Sequence, residues 1–253
     1  FLVQIYHTTT LFEATSHIKL PYPQLRSAMS SAAPPEAAEP ALLPVPVPCV
    51  SNVVATFTCG KPLNLLHFAQ SYSFEFQPSR FAACAIRIKS KTSRSTALAF
   101  SSGKFVVTGC RSESESLLAS RKYISLLNRL GERLSFIKFH VQNIVSSVDL
   151  GRPLLLHKLV ETYTDQCSWE NRKFPGAILR DPACNLVVLV FRSGKCVITG
   201  AKSKRQLAKE WPPLFRKIEK FIDYNNDSKC SREYAIELRR EAERQPFDGE
   251  SIF

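Results

Sequence analysis

VSNVVATFTCGKPLNLL (Val50–Leu66) and VQNIVSSVDLGRPLLLH (Val141–His157) are two versions of one text, 91 residues apart. A second pair of segments repeats the offset. STALAFSSGKFVVTGCRS (Ser95–Ser112) aligns with NLVVLVFRSGKCVITGAKS (Asn185–Ser203), so that Phe100 falls on Phe191 and Gly109 on Gly200. Between these blocks Arg80-Phe81 pairs with Lys173-Phe174 at an offset of 93, which puts two extra residues into a hairpin loop of the first copy, near Ser90–Ser95. Chance agreement over such lengths is remote, and a fixed internal period means a repeat architecture. Two related units follow, 47–134 and 135–222, flanked by segments 1–46 and 223–253.

Each unit reads strand, helix, strands, helix. Ser51–Phe57 is apolar and β-branched, which predicts a strand. Gly60-Lys61-Pro62 turns the chain into a short mixed helix over Leu63–Ser71. Phe74, Phe76 and then Phe81–Ile88 alternate as strands, and Ser95–Phe100 and Phe105–Thr108 form a hairpin over a turn at Ser101–Lys104. Ser112 followed by Glu115 is a capping-box pattern opening a helix through Leu130, stopped by Gly131. Its apolar stripe is Leu117, Leu118, Tyr123, Ile124, Leu127 and Leu130. Five strands and two helices per unit predict an α+β fold. Two units joined edge to edge give a continuous antiparallel ten-stranded sheet, with helices on one face and the other face open.

The net charge of +12 is unevenly spread. Residues 1–46 sum to −1 and 223–253 to −3, so 47–222 carries +16. A field of that sign attracts a polyanion: nucleic acid first, with acidic membranes and acidic proteins as alternatives. None of the eight Cys forms a CxxC pair, and Cys84, Cys110 and Cys196 sit in apolar runs. Most of them read as buried free thiols of a reducing compartment rather than zinc ligands. No stretch approaches the length of a membrane span. No carboxylate pair, Cys/His arrangement or phosphate loop suggests an enzyme or a cofactor. The Ala/Pro run SAAPPEAAEPALLPVPVPCV (31–50) reads as an extended linker.

An exposed sheet face rich in Val, Leu and Phe needs a purpose. The duplication pairs Asn52 with Asn143, Val54 with Val145, Leu98 with Leu189, Val106 with Val197 and Thr108 with Thr199. Conservation of a core accounts for Leu and Val. It accounts poorly for Asn, which needs hydrogen-bond partners when buried. Asn beside apolar strand residues suits the floor of a DNA minor groove, where base edges offer mainly acceptors. Arg80, Arg87, Lys104, Lys173, Arg180 and Lys195 would form a cationic rim on the two phosphate backbones.

SNVVATF, PSRFAACAIRI, STALAFSSGKFVVTG, FHVQNIVSSVDLG, KFPGAILR and VVLVFRSGKCVITGAKS, with Arg121-Lys122-Tyr123, stand in an order that resembles the core of the TATA-box-binding protein family. The resemblance covers about 47–222 and neither tail. It implies a pseudo-symmetric saddle with helices on the convex face, whose concave sheet opens and kinks the minor groove of AT-rich promoter DNA. The family's wedging aromatics fall on Phe81, Phe100, Phe174 and Phe191. Its floor falls on Asn52, Asn143, Val54, Val145, Val106, Val197, Thr108, Thr199, Leu98, Leu189, Ala82 and Pro175. Its phosphate contacts fall on Arg80, Arg87, Ser102, Lys104, Arg180, Ser193 and Lys195. The implied activity is that of a nuclear general transcription factor that nucleates initiation complexes. Implied partners are double-stranded promoter DNA, TFIIA-like and TFIIB-like factors, and TATA-binding-protein-associated factors or an snRNA-activating-type complex. The alternative is a divergent relative acting mainly as a protein scaffold at TATA-less promoters.

Two departures qualify the resemblance. The turn before Phe174 reads Trp169-Glu170-Asn171-Arg172-Lys173, where family members carry a second acid and a Leu; this is the turn implied to dock the TFIIB-type factor. It therefore predicts a partner with a compensating acidic patch, or a weakened contact. Pro212-Pro213 predicts that the last helix breaks into Ser203–Trp211 and Leu214–Tyr224. Residues Ser231–Arg244, with Tyr234, Ile236 and Leu238, read as a short surface helix. Lys89, Lys91 and Arg94 at the longer hairpin tip could reach phosphate or an acidic partner.

Overall fold

The computed structural model describes residues 43–89 and 94–224. The expectations for the Ala/Pro segment up to residue 42, for the hairpin tip at 90–93 including Lys91, and for the tail from 225 lie outside the described residues, as do the side chains of Lys89 and Arg94.

The chain runs β1 (Cys49–Thr58), α1 (Leu65–Tyr72), β2 (Ala83–Lys89), β3 (Arg94–Phe100), β4 (Lys104–Cys110) and α2 (Glu113–Arg129) in the first repeat. The second continues with β5 (Ile137–Asp149), α3 (Leu156–Thr162), β6 (Cys167–Ser168), β7 (Gly176–Arg180), β8 (Val187–Phe191), β9 (Lys195–Ala201) and α4 (Lys204–Ile218), closed by a 3₁₀ turn at Glu219–Phe221. The strands form one antiparallel sheet in the order β2-β3-β4-β1-β5-β9-β8-β7-β6. The repeats thus mirror each other about the β1–β5 seam, in the saddle-like α+β arrangement expected.

Nine strands are present among the described residues, where the sequence predicts ten. The missing one is the Phe74–Phe76 segment, reduced to a single bridge between Glu75 and Ala85. Ser73 before it is left-handed (φ 53°), and Phe74 packs edge-on against Phe68 and beside Tyr72. Ring packing, rather than a ladder, therefore holds this edge.

Alternation along the strands separates two faces. Val53, Ala55 and Phe57 of β1, Ala97 and Ala99 of β3, Phe105 and Val107 of β4, and Val188, Val190, Cys196 and Ile198 of the second repeat are buried under the helices. Tyr123, Leu127, Leu207, Trp211, Leu214, Phe215 and Ile218 cover them. The stripe on α2 is narrower than expected: Leu118 and Leu130 are exposed, and Ser116, Ala119 and Ser120 take buried positions against the sheet. Both long helices are capped alike. Ser112 Oγ accepts the Glu115 amide at 3.0 Å while Glu115 accepts the Arg111 amide at 2.8 Å. Ser203 Oγ accepts the Gln206 amide at 3.1 Å and Gln206 accepts the Lys202 amide at 2.9 Å.

The expected break in the last helix is not found: α4 runs unbroken through Pro212 and Pro213. Those prolines cannot donate to the carbonyls of Ala208 and Lys209. Both of these residues are exposed, so water can satisfy the freed acceptors. The opposite face is clamped by Leu207, Trp211, Leu214, Phe215 and Ile218. Farther along, Lys217 bonds Asp181 at 2.5 Å and Gln166 at 2.8 Å, tying α4 to the sheet edge.

The proline-rich lead-in is also more than a linker from Leu43 onward. Leu43 and Val45 pack against the core. The Trp211 indole N–H donates to the Pro46 carbonyl at 2.8 Å, and Arg216 donates to the Leu43 carbonyl at 2.8 Å. Leu43 and Val45 stand 91 residues before Leu134 and Phe136, which pack on α2 in the same way. Leu134 is clasped there through both its amide and its carbonyl by the Asn128 side chain. The structural repeat thus begins about four residues earlier than the sequence alignment.

Candidate nucleic-acid interface

The face opposite the helices carries the predicted floor. Leu98, Val106, Leu189 and Val197 are half-buried on it, and the register sets Leu98 opposite Val106 and Leu189 opposite Val197. At the seam the repeats interlock: Asn52 stands opposite Val145, and Val54 opposite Asn143. At this seam Val54 and Val145 are buried, at 6% and 4% exposure, although they share this face.

The two asparagines have partners inside the fold, which corrects the expectation that burial leaves them poorly accounted for. Asn52 Oδ1 accepts the Gly109 amide at 2.8 Å, and its Nδ2 lies 3.0 Å from Thr108 Oγ1. Asn143 repeats this with the Gly200 amide at 2.8 Å and Thr199 Oγ1 at 2.9 Å. Gly109 and Gly200 have φ of 94° and 101°, a backbone that L side chains rarely adopt. Each asparagine therefore anchors the glycine-bearing end of a neighbouring strand while standing on the open face.

Two aromatic pairs flank this floor. Phe81 and Phe100 meet edge to face with centroids 6.0 Å apart; Phe174 and Phe191 do so at 5.7 Å. All four rings are half-exposed. The backbone beneath them must be small. Ala83 lies opposite Phe100, and Gly176 opposite Phe191. A Cβ on Gly176 would come within 2.8 Å of Phe174 and 3.0 Å of Phe191. Ala82 and Pro175, which follow Phe81 and Phe174, are exposed.

The rim is cationic. Arg80, Arg87, Lys104, Arg180 and Lys195 are exposed; Ser102 is exposed and Ser193 half-buried, in matching turns. Arg87 is already engaged by Glu75, so it differs from Arg180 in its starting charge environment. In the turn before Phe174, Glu170 pairs with Lys173 at 2.7 Å, Arg172 is exposed and Trp169 is partly buried. Burial raises the thiols of the helix-covered face: Cys84, Cys110 and Cys167 to about 11, and Cys196 to about 12.

Two polar floor residues have no counterpart in the sequence reading. Gln142 donates to Thr56 Oγ1 at 2.8 Å. The duplication could not flag them, because the matching positions are Ser51 and Ser147.

The sequence model of a family described as "Transcription factor TFIID (or TATA-binding protein, TBP)" matches residues 47–130 and 138–221. The TATA-box-binding protein of Saccharomyces cerevisiae is 40% identical over 176 residues, covering 69% of this chain and 72% of that protein. That of Caenorhabditis elegans is 41% identical over 180 residues, covering 71% of this chain and 52% of that protein. The solved structure of Methanococcus jannaschii TBP matches with a TM-score of 0.59 at 29% identity, over 69% of this chain and 99% of that one. The chain spans about half the length of several curated relatives it matches.

Proposed function

The chain belongs to the TATA-binding protein family, and on that premise we propose that it grips the minor groove of AT-rich, TATA-like promoter DNA in the nucleus, bends it, and nucleates assembly of the transcription initiation complex. The single observation carrying this reading is the pair of aromatic couples, Phe81–Phe100 and Phe174–Phe191, half-exposed at matching positions of an apolar, cation-edged sheet.

Each couple levers one base step. In minor-groove benders, this family among them, an inserted ring costs a few kcal/mol of unstacking, which is offset by the surface that bent DNA can then bury. TA steps lower that cost, and AT pairs lack the guanine amino group that would obstruct an apolar floor. Val54, Val145, Leu98, Leu189, Val106 and Val197 supply that floor. Asn52, Asn143, Thr108 and Thr199 supply its polar centre. The exposed cations fix position on phosphate. Selectivity is then mainly one of shape and deformability.

Partners follow from the same premise: TFIIA-like and TFIIB-like factors and associated factors on the surfaces that DNA leaves free. In the turn that would meet a TFIIB-like factor, Lys173 already occupies Glu170 and Arg172 adds a cation. A conventional partner that seeks an acid there binds more weakly.

The test is binding and end-to-end energy transfer on doubly labelled TATA and scrambled duplexes, with wild type and a Phe100→Ala, Phe191→Ala variant. Selective binding with a sharp bend that the variant loses supports the reading. Firm binding of initiation factors with no selective DNA complex replaces it with the scaffold reading.

A further inference from the structure

The turn before the first aromatic of each couple, Phe81 and Phe174, is built twice with the same hydrogen bonds. In the first repeat the amides of Arg80 and Phe81 both donate to the Gln77 carbonyl at 2.9 Å. In the second, the amides of Lys173 and Phe174 both donate to the Glu170 carbonyl at 2.9 Å. A cation stands immediately before Phe81 and before Phe174, on matching turns and beside matching edge-to-face couples. The repeats differ in what faces that cation. Gln77 is neutral, whereas Glu170 closes an exposed ion pair with Lys173, whose side chain is 80% exposed.

We infer that Lys173 is a second phosphate contact, matching Arg80 across the pseudo-dyad and held in reserve by Glu170. This rests on the DNA-bending reading above. When the groove is seated over Phe174, the ammonium exchanges its carboxylate partner for a backbone phosphate at the flank of the kink. Glu170 sets the threshold for that exchange, because the carboxylate and the phosphate compete for one cation. While the pair is closed, the Glu170 hydrogen bond and charge hold the Lys173 ammonium above its ordinary pKa. Arg80 has no such competitor in its turn, since the position of Glu170 is Gln77. The two lobes thus offer phosphate one cation that is free of a carboxylate in its own turn and one that must be released.

The experiment measures the affinity of a TATA duplex at KCl concentrations from about 50 to 300 mM for wild type, Arg80→Gln, Lys173→Gln, Glu170→Gln and the Glu170→Gln, Lys173→Gln double variant. Each phosphate contact contributes about 0.9 to the slope of log affinity against log salt. Lys173→Gln is expected to flatten the slope by about that amount, as Arg80→Gln does. Glu170→Gln, which gives the second turn the Gln of the first, is expected to tighten binding about two- to fivefold at low salt, the scale of an exposed ion pair. The double variant is expected to lose that gain. A slope unchanged in Lys173→Gln, or a Glu170→Gln gain that survives without Lys173, overturns the inference. So does an unchanged slope accompanied by weaker binding of a TFIIB-like factor, which would assign Lys173 to a protein partner. If wild type itself fails to bind the duplex, the parent reading falls as well. If wild type binds and bends while the Lys173 slope stays put, only this inference falls.

Discussion

The indole N–H of Trp211 reaches the carbonyl oxygen of Pro46 across 2.8 Å, joining α4 to the residues that precede β1. Trp211 is almost fully buried, so its indole N–H is shielded from water and depends on this acceptor. Trp211→Phe keeps an aromatic ring there and removes the donor. The expected cost is about 1 kcal/mol, the net worth of a buried hydrogen bond, read as a fall in Tm of about 2–4 °C for a domain of this size. A chain beginning at Cys49 should melt lower still than one beginning at Leu43, because it also loses the packing of Leu43 and Val45. Equal melting of the two chains would show that this lead-in contributes nothing to stability.

Gly176 lies beneath the Phe174–Phe191 couple, with no room for a methyl group. Gly176→Ala should leave the fold intact, since the half-exposed rings can swing aside. It should splay the couple and reduce the DNA bend, read by energy transfer, more than it reduces Tm. The first repeat carries Ala83 at the matching position, with its rings slightly farther apart at 6.0 Å. Ala83→Gly is therefore expected to be nearly silent in bending. Identical bends for Gly176→Ala and wild type would count against the second couple as a wedge.

Alkali should loosen the fold through its buried thiols. Desolvation, aided by Glu75 beside Cys84, Glu115 beside Cys110 and Asp149 beside Cys196, raises these groups from the usual value near 9 to about 11 or 12. Cys167 rises to about 11 by burial alone. With folded values above unfolded ones, the unfolded chain gives up its protons first. Stability is thus complete below about pH 9 and falls as pH climbs from there through 11 to 12. Urea midpoints at pH 7, 8.5, 9.5 and 10.5 should stay level over the first pair and then drop. The drop should be shallower in Cys196→Ala, measured against that variant's own neutral value. A midpoint independent of pH up to 10.5 would contradict the burial of these thiols.

Much of this was legible in the sequence, because a 91-residue offset fixes pairs such as Phe100 with Phe191 without any knowledge of the fold. Other features were hidden for definite physical reasons. The partners of Asn52 are the amide of a left-handed glycine and a threonine hydroxyl on the neighbouring strand, and only the three-dimensional register brings them together. Leu43–Pro48 reads as linker because its prolines mask its kinship with Leu134–Phe139. The fate of Pro212 and Pro213 depended on which way their orphaned acceptors face, which composition does not say. Phe74 and Phe76 show a strand's alternation, yet the Phe74 ring found better company in a cluster with Phe68 and Tyr72.

The seam between β1 and β5 sets Asn52 of one repeat against Val145 of the other and Val54 against Asn143, and the lead-in of the first repeat rests on the last helix of the second. Neither half is therefore self-sufficient. Cut apart, each would bare its longest strand as an unpaired edge, shaped to receive the longest strand of the other half.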